Sequence, residues 1–406
     1  MTGHRLEVAD VFRDHGLAFL DEFGDALSPE QRRVLSDLAA CRTAALGGHV
    51  EACDRCGHQR ISYNSCRNRH CPKCQGTAAA QWLDARATEL LPTEYFHVVF
   101  TLPEAIGPIA LQNPRVVYGI LFRAAAETLL QVAADPKRLG AEIGFLAVLH
   151  TWGQNLHHHA HVHCVVPGGG LSPEGSRWIS CPTGFFLPVR VLSRVFRGKF
   201  LARLRAAFDE GKLAFHGQQS ALSDAGQFQR QLVASAKTDW VVYAKPPFGG
   251  PEQVLKYLAR YTHRVAITNG RLIDVEEGQV RFRTKDYTDD GRPKTVTLHA
   301  TEFIRRFLLH VLPSGFVRIR HYGFLSNRLR QEKLALCREL LHVTPMPELV
   351  SISSSAELSE EMVGPSSVKL CPSCGVGHMV IIDPLVPTGG QRGEEPCGRV
   401  PVFDTS

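Results

Sequence analysis

The sequence predicts an α+β fold in which one antiparallel sheet carries helices on one face. Runs rich in β-branched and aromatic residues at 95–102, 144–150 and 157–167 predict three strands. A long apolar helical stretch at 113–134 separates the first run from the other two. The third observation is a cysteine-rich segment at 49–76 without apolar periodicity, which is typical of a small module held together by metal.

Two amphipathic helices are predicted before this module, across residues 5–46. The second begins with a capping-box pattern in which Ser28 is the N-cap and Gln31 follows three residues later. A further helix is predicted at 77–90, directly after the cysteine-rich segment. These helices and the zinc-ribbon-like module form a predicted first domain at 1–92.

Residues 93–345 are predicted to form a larger, catalytic domain around the sheet. Because the run at 157–167 follows the run at 144–150 after a short connection, we expect the two strands to pair antiparallel. Later elements are expected in this order: a helix at 191–210, a strand at 239–244, a helix at 251–264, and short strands beside turn signals at 269–270, 277–278 and 290–291.

Residues 346–406 are predicted to be a flexible acidic tail, because serine, glutamate, glycine and proline dominate there. Residues 351–406 hold seven Asp or Glu and three Lys or Arg, a net charge of −4. The net charge of the whole chain is +6, so residues 1–350 carry a net charge of +10. A basic body favours a polyanionic partner such as nucleic acid.

The chain shows no signal peptide, no apolar run long enough to span a bilayer and no glycine loop that cradles phosphates. We therefore expect a cytoplasmic bacterial protein that uses neither a membrane nor a nucleotide cofactor. In that compartment its 12 cysteines are expected to be thiols or metal ligands rather than disulfides.

Two Cys-x2-Cys pairs, separated by fourteen residues, form the cysteine pattern of the module. Each pair can turn around one metal ion, and four thiolates complete a closed tetrahedral zinc site. We therefore predict a structural Zn²⁺ on Cys53, Cys56, Cys71 and Cys74.

Other candidate ligands crowd the same region, and their spacing does not decide whether one replaces a member of the four or some join a second site: Cys41, His49, Cys66 and His70. A further pair, Cys371 and Cys374, lacks an obvious second half. His378 or Cys397 could complete a site with it.

A histidine-rich strand is the strongest chemical signal in the larger domain. In an extended strand side chains alternate between faces, which puts four histidines on one face and four small or apolar residues on the other: His157, His159, His161 and His163 against Ala160, Val162, Cys164 and Val166. A row of imidazoles is costly to bury unless it binds a ligand, and a divalent metal suits neutral imidazole nitrogens. His97, His150 and His263 are interpreted as ordinary histidines.

A second signal lies about ninety residues later, on the predicted helix at 251–264. Tyr257 and Tyr261 are four residues apart, so their side chains are expected on one face. Lys256, Arg260 and Arg264 form a parallel ladder with the same spacing. That arrangement is more typical of a surface that contacts phosphate than of a core.

Together the two signals resemble the HUH endonucleases, in which His-hydrophobic-His holds a divalent metal and a helix tyrosine attacks DNA. The closer resemblance is to the two-tyrosine rolling-circle transposases of the insertion-sequence-91 type and their common-region relatives. It covers about residues 41–325 and rests on motifs in family order: Cys66 to Cys74, Phe96 to Pro103, Thr151 to Leu156 leading into His161-Val162-His163, and the Tyr257/Tyr261 helix.

The resemblance implies an HUH-endonuclease-like sheet and a catalytic Mg²⁺ or Mn²⁺ on His161 and His163. The third ligand varies among HUH enzymes. Alternation along the strand favours His159 here, with His157 as a second choice and Gln154 as an outside candidate.

The resemblance also implies that Tyr257 and Tyr261 are the nucleophiles and that Arg260 and Arg264 contact DNA phosphates. The implied reaction nicks single-stranded DNA at element ends and in the target, leaves a 5′-phosphotyrosine link and transfers strands. Whether both tyrosines act is open, with a narrow preference for Tyr257.

Three alternatives remain open. The chain could be a replication initiator or relaxase with the same chemistry. It could instead be a zinc-ribbon DNA-binding protein without nuclease activity, which would leave Tyr257 and Tyr261 without a role. It could also be a decayed transposase, since a frameshifted tail would resemble the one at 346–406.

Overall fold

The computed structural model describes residues 6–248, 253–254, 266–286, 292–342 and 370–388. The chain forms two compact units. The first comprises Met1–Gln81, Ile267–Leu308 and Ala356–Ser406, and the second comprises Trp82–Ala266 and Leu309–Ser355. This division differs from the domain boundaries predicted at residues 92 and 345.

The described helices are α1 (Val8–Phe23), α2 (Pro29–Ala40), α3 (Pro72–Ala87), α4 (Gly107–Gln112), α5 (Pro114–Ala134), α6 (Val189–Asp209), α7 (Ala225–Lys237), α8 (Ala300–Leu308) and α9 (Arg330–Leu340). The described strands are β1 (Gly48–Cys53), β2 (Gln59–Tyr63), β3 (Tyr95–Thr101), β4 (Gly144–Trp152), β5 (His158–Pro167), β6 (Gly169–Leu171), β7 (Trp178–Ser180), β8 (Val242–Phe248), β9 (Leu272–Glu276), β10 (Gln279–Asp286), β11 (Arg292–His299), β12 (Ile319–Gly323) and β13 (Met379–Leu385).

The first unit joins the N-terminal helices to an antiparallel β9-β10-β11 sheet followed by α8. The capping box predicted at the start of α2 is confirmed: the Gln31 amide donates to Ser28 Oγ at 3.2 Å, and the Ser28 amide donates to the Gln31 side chain at 2.9 Å. Phe12 of α1 meets Phe307 of α8 edge to face, with ring centroids 5.1 Å apart. This buried contact explains why 267–308, predicted in the larger domain, belongs to the first unit.

A second sheet of the first unit has the strand order β13-β1-β2. Strand β13 pairs antiparallel with β1, from Gly48 opposite Leu385 to Cys53 opposite Met379. The prediction of a flexible tail is therefore wrong for residues 370–388, which form ordered structure. Composition alone missed this strand because its apolar run is short and lies between polar segments.

The second unit is built around a five-stranded antiparallel sheet with the order β12-β4-β5-β3-β8. Helices α5 and α6 pack on one face of this sheet, and their contact residues form the main hydrophobic core. The β5 residues predicted to face inward do so: Ala160, Val162, Cys164 and Val166. An α+β fold with antiparallel strands and the β4/β5 pairing are thus confirmed.

We expected no segment of the chain to be long and apolar enough to span a bilayer. Among the described helices, only α5 has the length and composition to do so. Of its most apolar window, 61% is buried. Val117, Leu121 and Leu129 are among the residues that α5 contributes to the core of the second unit. Burial against the sheet therefore accounts for the apolar character of this helix.

Several element boundaries differ from the predicted ones. Helix α3 begins at Pro72 rather than near residue 77, because proline suits the first turn of a helix. The sequence analysis did not predict helix α7. The predicted turn at 277–278 is confirmed and joins β9 to β10. Of the helix predicted at 251–264, only residues 253–254 lie among the described residues, and both are helical.

Candidate metal centres

His161 and His163 of β5 lie on the face of the second-unit sheet opposite α5 and α6, whereas His158 Nε2 lies 2.9 Å from the hydroxyl of Tyr118 on α5. His161 pairs with His150 of β4 and with Thr101 of β3, and His163 pairs with Val148 and Val99. Directly paired residues in adjacent strands point to the same face of a sheet. This pairing brings His150, which we interpreted from the sequence as an ordinary histidine, beside His161.

Three imidazoles converge at this point, and we call His150, His161 and His163 the histidine group. One ring nitrogen from each lies within 4.8 Å of the others. The ring centroids are 4.3 Å apart for His150 and His163, 4.7 Å for His161 and His163, and 5.5 Å for His150 and His161. The sheet therefore presents a three-nitrogen set of the size that one metal ion can bind.

The structure replaces His159 by His150 in this set. The pairing of β4 with β5 shifts between His150 and Trp152, so residues before His161 no longer follow the simple alternation that favoured His159. His159 is exposed. Its carbonyl accepts from His161 Nδ1 and its ring lies beside that of His161, with centroids 5.2 Å apart, but its ring nitrogens are not part of the three-nitrogen set. His157 is also exposed and lies outside the β5 strand.

Hydrogen bonds orient the imidazole rings of two members of the group. His161 Nδ1–H donates to the His159 carbonyl at 2.6 Å, which leaves the Nε2 lone pair to bind a cation. Burial lowers the pKa of His161 to about 4. The imidazole is therefore neutral at physiological pH, as a metal ligand must be.

A fourth histidine, His97 of β3, contacts His163 from the neighbouring strand. His97 Nε2 lies 2.7 Å from His163 Nδ1, and the two rings are nearly parallel at 6°. His97 is 3% exposed. It lies outside the three-nitrogen set and holds the ring of one member in place, in the way that outer-shell partners orient metal ligands.

The predicted nucleophiles and phosphate contacts lie outside the described residues: Tyr257, Tyr261, Arg260 and Arg264. Val254, three residues before Tyr257, is fully buried in a cluster with Leu146, Val148 and Val165. Val148 pairs with His163, and Val165 follows His163 by two residues on the same face. The chain therefore reaches the histidine face of the sheet just before the predicted tyrosines.

The first unit contains a cluster of four cysteines, Cys41, Cys66, Cys71 and Cys74, which we call the first cysteine cluster. Its Sγ–Sγ distances are 3.6 Å for Cys41–Cys74 and Cys66–Cys74, and 3.7 Å for Cys41–Cys71. Bonds of about 2.3 Å from a tetrahedral zinc place sulfurs about 3.8 Å apart. The cluster therefore has the dimensions of a closed zinc site.

Two members of the first cysteine cluster lie at the start of α3, where backbone amides and the helix dipole favour a thiolate. Hydrogen bonds from neighbouring thiols, that of Cys41 foremost, lower the pKa of Cys74. The four thiols interact through these contacts, which raise the pKa of Cys71. A bound metal would displace the remaining thiol protons.

The predicted site of Cys53, Cys56, Cys71 and Cys74 is not formed. Cys71 and Cys74 join Cys41 and Cys66, whereas Cys53 and Cys56 lie with Cys371 and Cys374 in what we call the second cysteine cluster. His378 belongs to neither cluster and contacts Asp54. Cys397 lies outside the described residues.

Family comparisons agree with a two-part organisation. Residues 11–102 match a family model described as "Transposase zinc-binding domain" of the IS91 type, and residues 144–333 match one described as "Putative transposase". The "Putative transposase y4qJ" of Sinorhizobium fredii (strain NBRC 101917 / NGR234) is 61% identical over 379 residues, which cover 93% of this chain and 95% of that protein. The chain belongs to the IS91-type transposase family.

A second relative of this transposase is the "Transposase for insertion sequence element IS801" of Pseudomonas savastanoi pv. phaseolicola, 28% identical over 77% of this chain and 75% of that protein. Among solved structures, "Conjugative Relaxase TrwC in complex with mutant OriT Dna" matches with 16% identity over 60% of this chain and 72% of that chain. Its TM-score of 0.23 is too low to support an inference.

The residues of this transposase that match the zinc-binding family model, 11–102, include the whole first cysteine cluster, so a structural zinc is supported there. The transposase match contains the whole histidine group. Neither match extends beyond residue 333. The Cys371/Cys374 half of the second cysteine cluster therefore lies outside both.

The two strand patterns alone do not set His150 opposite His161. Paired residue numbers of β4 and β5 sum to 311 up to His150 and His161, but the pair next to the turn, Trp152 and His158, sums to 310. A hairpin of constant register drawn from the turn would therefore have missed this pairing. No local pattern pairs Cys53 with Cys374 either, because 321 residues separate them.

Proposed function

We propose that this transposase nicks single-stranded DNA at element ends by metal-assisted tyrosine attack and transfers strands through a 5′-phosphotyrosine intermediate. The observation that carries the proposal is the histidine group, in which ring nitrogens from three residues converge within 4.8 Å on one face of the catalytic sheet. Membership of the transposase family supplies the substrate class, DNA.

The residues present fit a divalent ion. Burial lowers the pKa of His161, so its imidazole is neutral, and three protein ligands leave positions open for phosphate oxygens. When bound, such an ion polarises the scissile phosphate and offsets charge that develops in the transition state. Imidazoles are softer donors than the carboxylates and water that suit Mg²⁺, so we expect Mn²⁺ to support nicking at lower concentration.

Chain connectivity favours Tyr257 as the attacking residue. Three residues span at most about 11 Å even when fully extended, so the Tyr257 backbone stays that close to buried Val254. Tyr261 is seven residues away, with a reach of about 25 Å. Val254 packs on the face that carries His163, which supports convergence of Tyr257 and the histidine group.

The proposed first step forms one bond and breaks one. Tyr257 Oη bonds to phosphorus, the bond from phosphorus to the 3′ oxygen breaks, and the phenol proton is lost as that oxygen gains one to become a 3′-hydroxyl. A phenol has an unperturbed pKa near ~10, so the attack needs activation at neutral pH. In the second step a 3′-hydroxyl of another strand attacks the phosphotyrosine, restores the phenol and rejoins DNA without ATP.

Two tyrosines would allow linked cleavages of donor and target, with Tyr261 acting in the second. Arg260 and Arg264 would contact the phosphates on either side of the scissile bond, since guanidinium groups bind phosphate through two parallel hydrogen bonds. We place this activity on single-stranded DNA in the bacterial cytoplasm, at element ends and at the target.

The test is incubation of the purified chain with a single-stranded oligonucleotide from an element end and Mn²⁺ or Mg²⁺, followed by a denaturing gel. We expect a covalent protein–oligonucleotide species and a free oligonucleotide that ends in a 3′-hydroxyl. Tyr257→Phe with Tyr261→Phe should abolish the adduct and preserve DNA binding measured by mobility shift. The single variants then show whether one or both tyrosines attack.

Tyr243→Phe is a matched control, because Tyr243 is a half-exposed tyrosine on β8 of the same sheet. Its adduct yield should equal that of the wild type. An adduct that persists in the Tyr257→Phe/Tyr261→Phe variant would refute the assignment of the nucleophile. DNA binding without any adduct under all metal conditions would favour the zinc-ribbon DNA-binding alternative.

A further inference from the structure

The second cysteine cluster joins two distant parts of the chain. Cys56 Sγ lies 3.6 Å from Cys371 Sγ, and Cys53 Sγ lies 3.7 Å from Cys374 Sγ. A disulfide bond requires about 2.05 Å between sulfurs. Thiolates on one tetrahedral zinc lie about 3.8 Å apart, given bonds of about 2.3 Å. The observed spacing matches a shared ion and does not match two disulfides.

The two halves of the cluster have the same local construction, Cys-x-x-Cys-Gly. In each, the glycine amide donates to the carbonyl of the first cysteine: Gly57 to Cys53 at 3.1 Å and Gly375 to Cys371 at 2.9 Å. Both glycines have positive φ, +72° and +67°, which glycine adopts without strain. Each half is therefore a tight turn that directs two sulfurs to one point.

Backbone amides donate to the sulfurs from both sides of the cluster. Amide-to-Sγ distances are 3.4 Å for Arg55 and Cys56 to Cys53, for Ser373 to Cys371, and for Gly377 to Cys374. Hydrogen bonds from amides favour the charged form of an acceptor. The turns are thus suited to thiolates, the form in which cysteine binds metal.

Strand pairing explains why these two turns meet. β1 ends at Cys53 and leads into the first turn, and β13 begins at Met379 directly after the second. Because β1 and β13 are antiparallel with Cys53 opposite Met379, the two turns lie at the same end of the sheet. The Asp54 amide donates to the His378 carbonyl at 3.0 Å and completes the junction.

Gly377 shows how closely the C-terminal segment packs on the first turn. A Cβ added at Gly377 would lie 2.4 Å from Cys53 Sγ and 2.7 Å from Asp54 Oδ1. No side chain fits at that distance without displacing the sulfur. The position of the segment is therefore set by the cysteines as well as by the β-ladder.

We propose that the second cysteine cluster binds a structural zinc ion of its own, which fastens residues 370–388 to β1. It is a separate site from the first cysteine cluster, because each cluster has four sulfurs of its own. The ion links two turns that are 315 residues apart in the chain. The chain between the two turns contains the whole segment that matches the transposase family model, residues 144–333. The proposal does not depend on the DNA chemistry proposed above.

The test is the zinc content of the full-length chain, measured by mass spectrometry of the metal after dialysis. Cys371→Ser with Cys374→Ser should lose one zinc per chain, and Cys53→Ser with Cys56→Ser should lose the same one. The variant with all four substitutions should lose no more than one, because both halves hold a single ion. Cys181→Ser, a cysteine outside every candidate metal group of the described residues, should lose none.

Unchanged zinc in the Cys371→Ser/Cys374→Ser variant would overturn the proposal, as would a loss of two ions in the fourfold variant. Gly377→Ala keeps every cysteine and should speed zinc release to a chelator. Gly198→Ala, at a helical glycine with nothing within 4 Å, should leave the release unchanged. Equal release from the two glycine variants would argue against the site.

Alkylation of the wild-type chain gives an answer even if the serine variants fail to fold. Cys56 is exposed, so iodoacetamide can reach its sulfur when no metal covers it. With zinc bound we expect slow alkylation of Cys56 and Cys371 together, accelerated at least tenfold by a chelator. Rapid alkylation of Cys56 before chelation, or an unreduced mass that reveals disulfides between these cysteines, would contradict a zinc site.

Discussion

The histidine group and the first cysteine cluster are both sets of side chains that could hold a metal ion, but they differ in the number of ligands and in the elements that carry them. Four sulfurs from turns and a helix start surround one point in the cysteine cluster. Three nitrogens from two paired strands line one face of a sheet in the histidine group. Four protein ligands close a tetrahedral site, whereas three leave it open to a substrate. The comparison predicts that the first set stabilises the fold and the second serves the reaction.

The largest expected effect tests the structural side of this comparison. Cys66→Ser with Cys71→Ser should release zinc and destabilise the first unit by several kcal/mol, because binding of a structural zinc contributes directly to folding. All four tryptophans of the chain lie in the second unit, at 82, 152, 178 and 240. Chemical denaturation followed by far-UV circular dichroism should therefore show an early transition, while tryptophan fluorescence keeps its wild-type midpoint.

Cys164→Ala is a useful control, since Cys164 is buried in the core of the second unit and belongs to no candidate metal group among the residues described. It should retain zinc and lower the fluorescence midpoint together with the part of the circular dichroism change that comes from the second unit. If both substitutions gave the same pattern, the first cysteine cluster would be ordinary core packing.

The second prediction tests the catalytic side of the comparison. His150→Ala should reduce metal-dependent nicking by two orders of magnitude or more, as removal of an electrostatic group in an active site commonly does. The free energy of unfolding measured by fluorescence should fall by only about 1–2 kcal/mol, as expected for the loss of one buried side chain. His161→Ala should behave in the same way, with metal-dependent nicking lost and folding retained.

His159→Ala separates the structural assignment of the third ligand from the one that sequence alternation favoured. His159 is exposed and its ring nitrogens lie outside the three-nitrogen set, while the carbonyl that orients His161 is kept in the variant, so nicking should fall less than tenfold. Loss of nicking in His159→Ala with activity retained in His150→Ala would reverse the ligand set.

Local patterns in the sequence predicted much of this site, and long-range pairing decided the rest. Alternation along β5 put four histidines on one face, since side-chain direction repeats every two residues within one strand. The resemblance to HUH endonucleases then selected His161 and His163 among them. His150 depends on the register between two strands, which alternation in a single strand does not contain. The error at His159 has the same origin, because the register shifts next to it.

The cysteines show the same limit at larger separation. The spacing of the Cys-x2-Cys pairs indicated that the two sulfurs of each pair lie close together, as they do, but it joined two pairs that belong to different clusters. Cys41 and Cys66 contribute single sulfurs from the end of α2 and from a loop, and neither has a motif of its own. Closing the second cysteine cluster required the β1/β13 pairing, which brings residues from the opposite end of the chain to β1.

The third prediction concerns His97, which supports the histidine group without joining it. If His163 binds the ion through Nε2, its Nδ1–H donates to His97 Nε2, at the observed 2.7 Å. His97→Phe keeps a ring stacked on His163 but removes this acceptor. Loss of such an outer-shell partner typically costs 10–100-fold in metal affinity. When the nicking rate is measured against Mn²⁺ concentration, the half-saturating concentration should rise by that factor. The rate at saturating Mn²⁺ should stay near that of the wild type.

His97→Gln is the matched variant, because its amide can still bond to His163 Nδ1 and should recover part of the affinity. Equal defects in His97→Phe and His97→Gln at saturating Mn²⁺ would point to a packing role instead.

The smallest expected effect distinguishes the histidine group from a buried histidine that holds the β4/β5 hairpin. His310 is 1% exposed; its Nε2–H donates to the Leu156 carbonyl at 3.1 Å, and its Nδ1 lies 3.2 Å from Thr151 Oγ1. Leu156 has φ +61° in the turn between β4 and β5, an uncommon conformation for leucine. His310 therefore fixes the strained turn between the two strands that carry the histidine group. Among the contacts described, the His310 ring does not touch the three rings of that group.

Burial lowers the pKa of His310 to about 3, below its unfolded value near ~6.5. The unfolded chain thus binds a proton that the folded chain does not, so this contribution is present above pH 6.5 and is lost as pH falls. Between pH 7 and pH 5 the loss is about 2 kcal/mol for a single group of this kind. His310→Gln can still donate to Leu156 but does not titrate. Fluorescence-monitored denaturation should find it less stable than the wild type at pH 7 and closer to it at pH 5; a gap that stays constant with pH would show that His310 titrates normally in the folded chain.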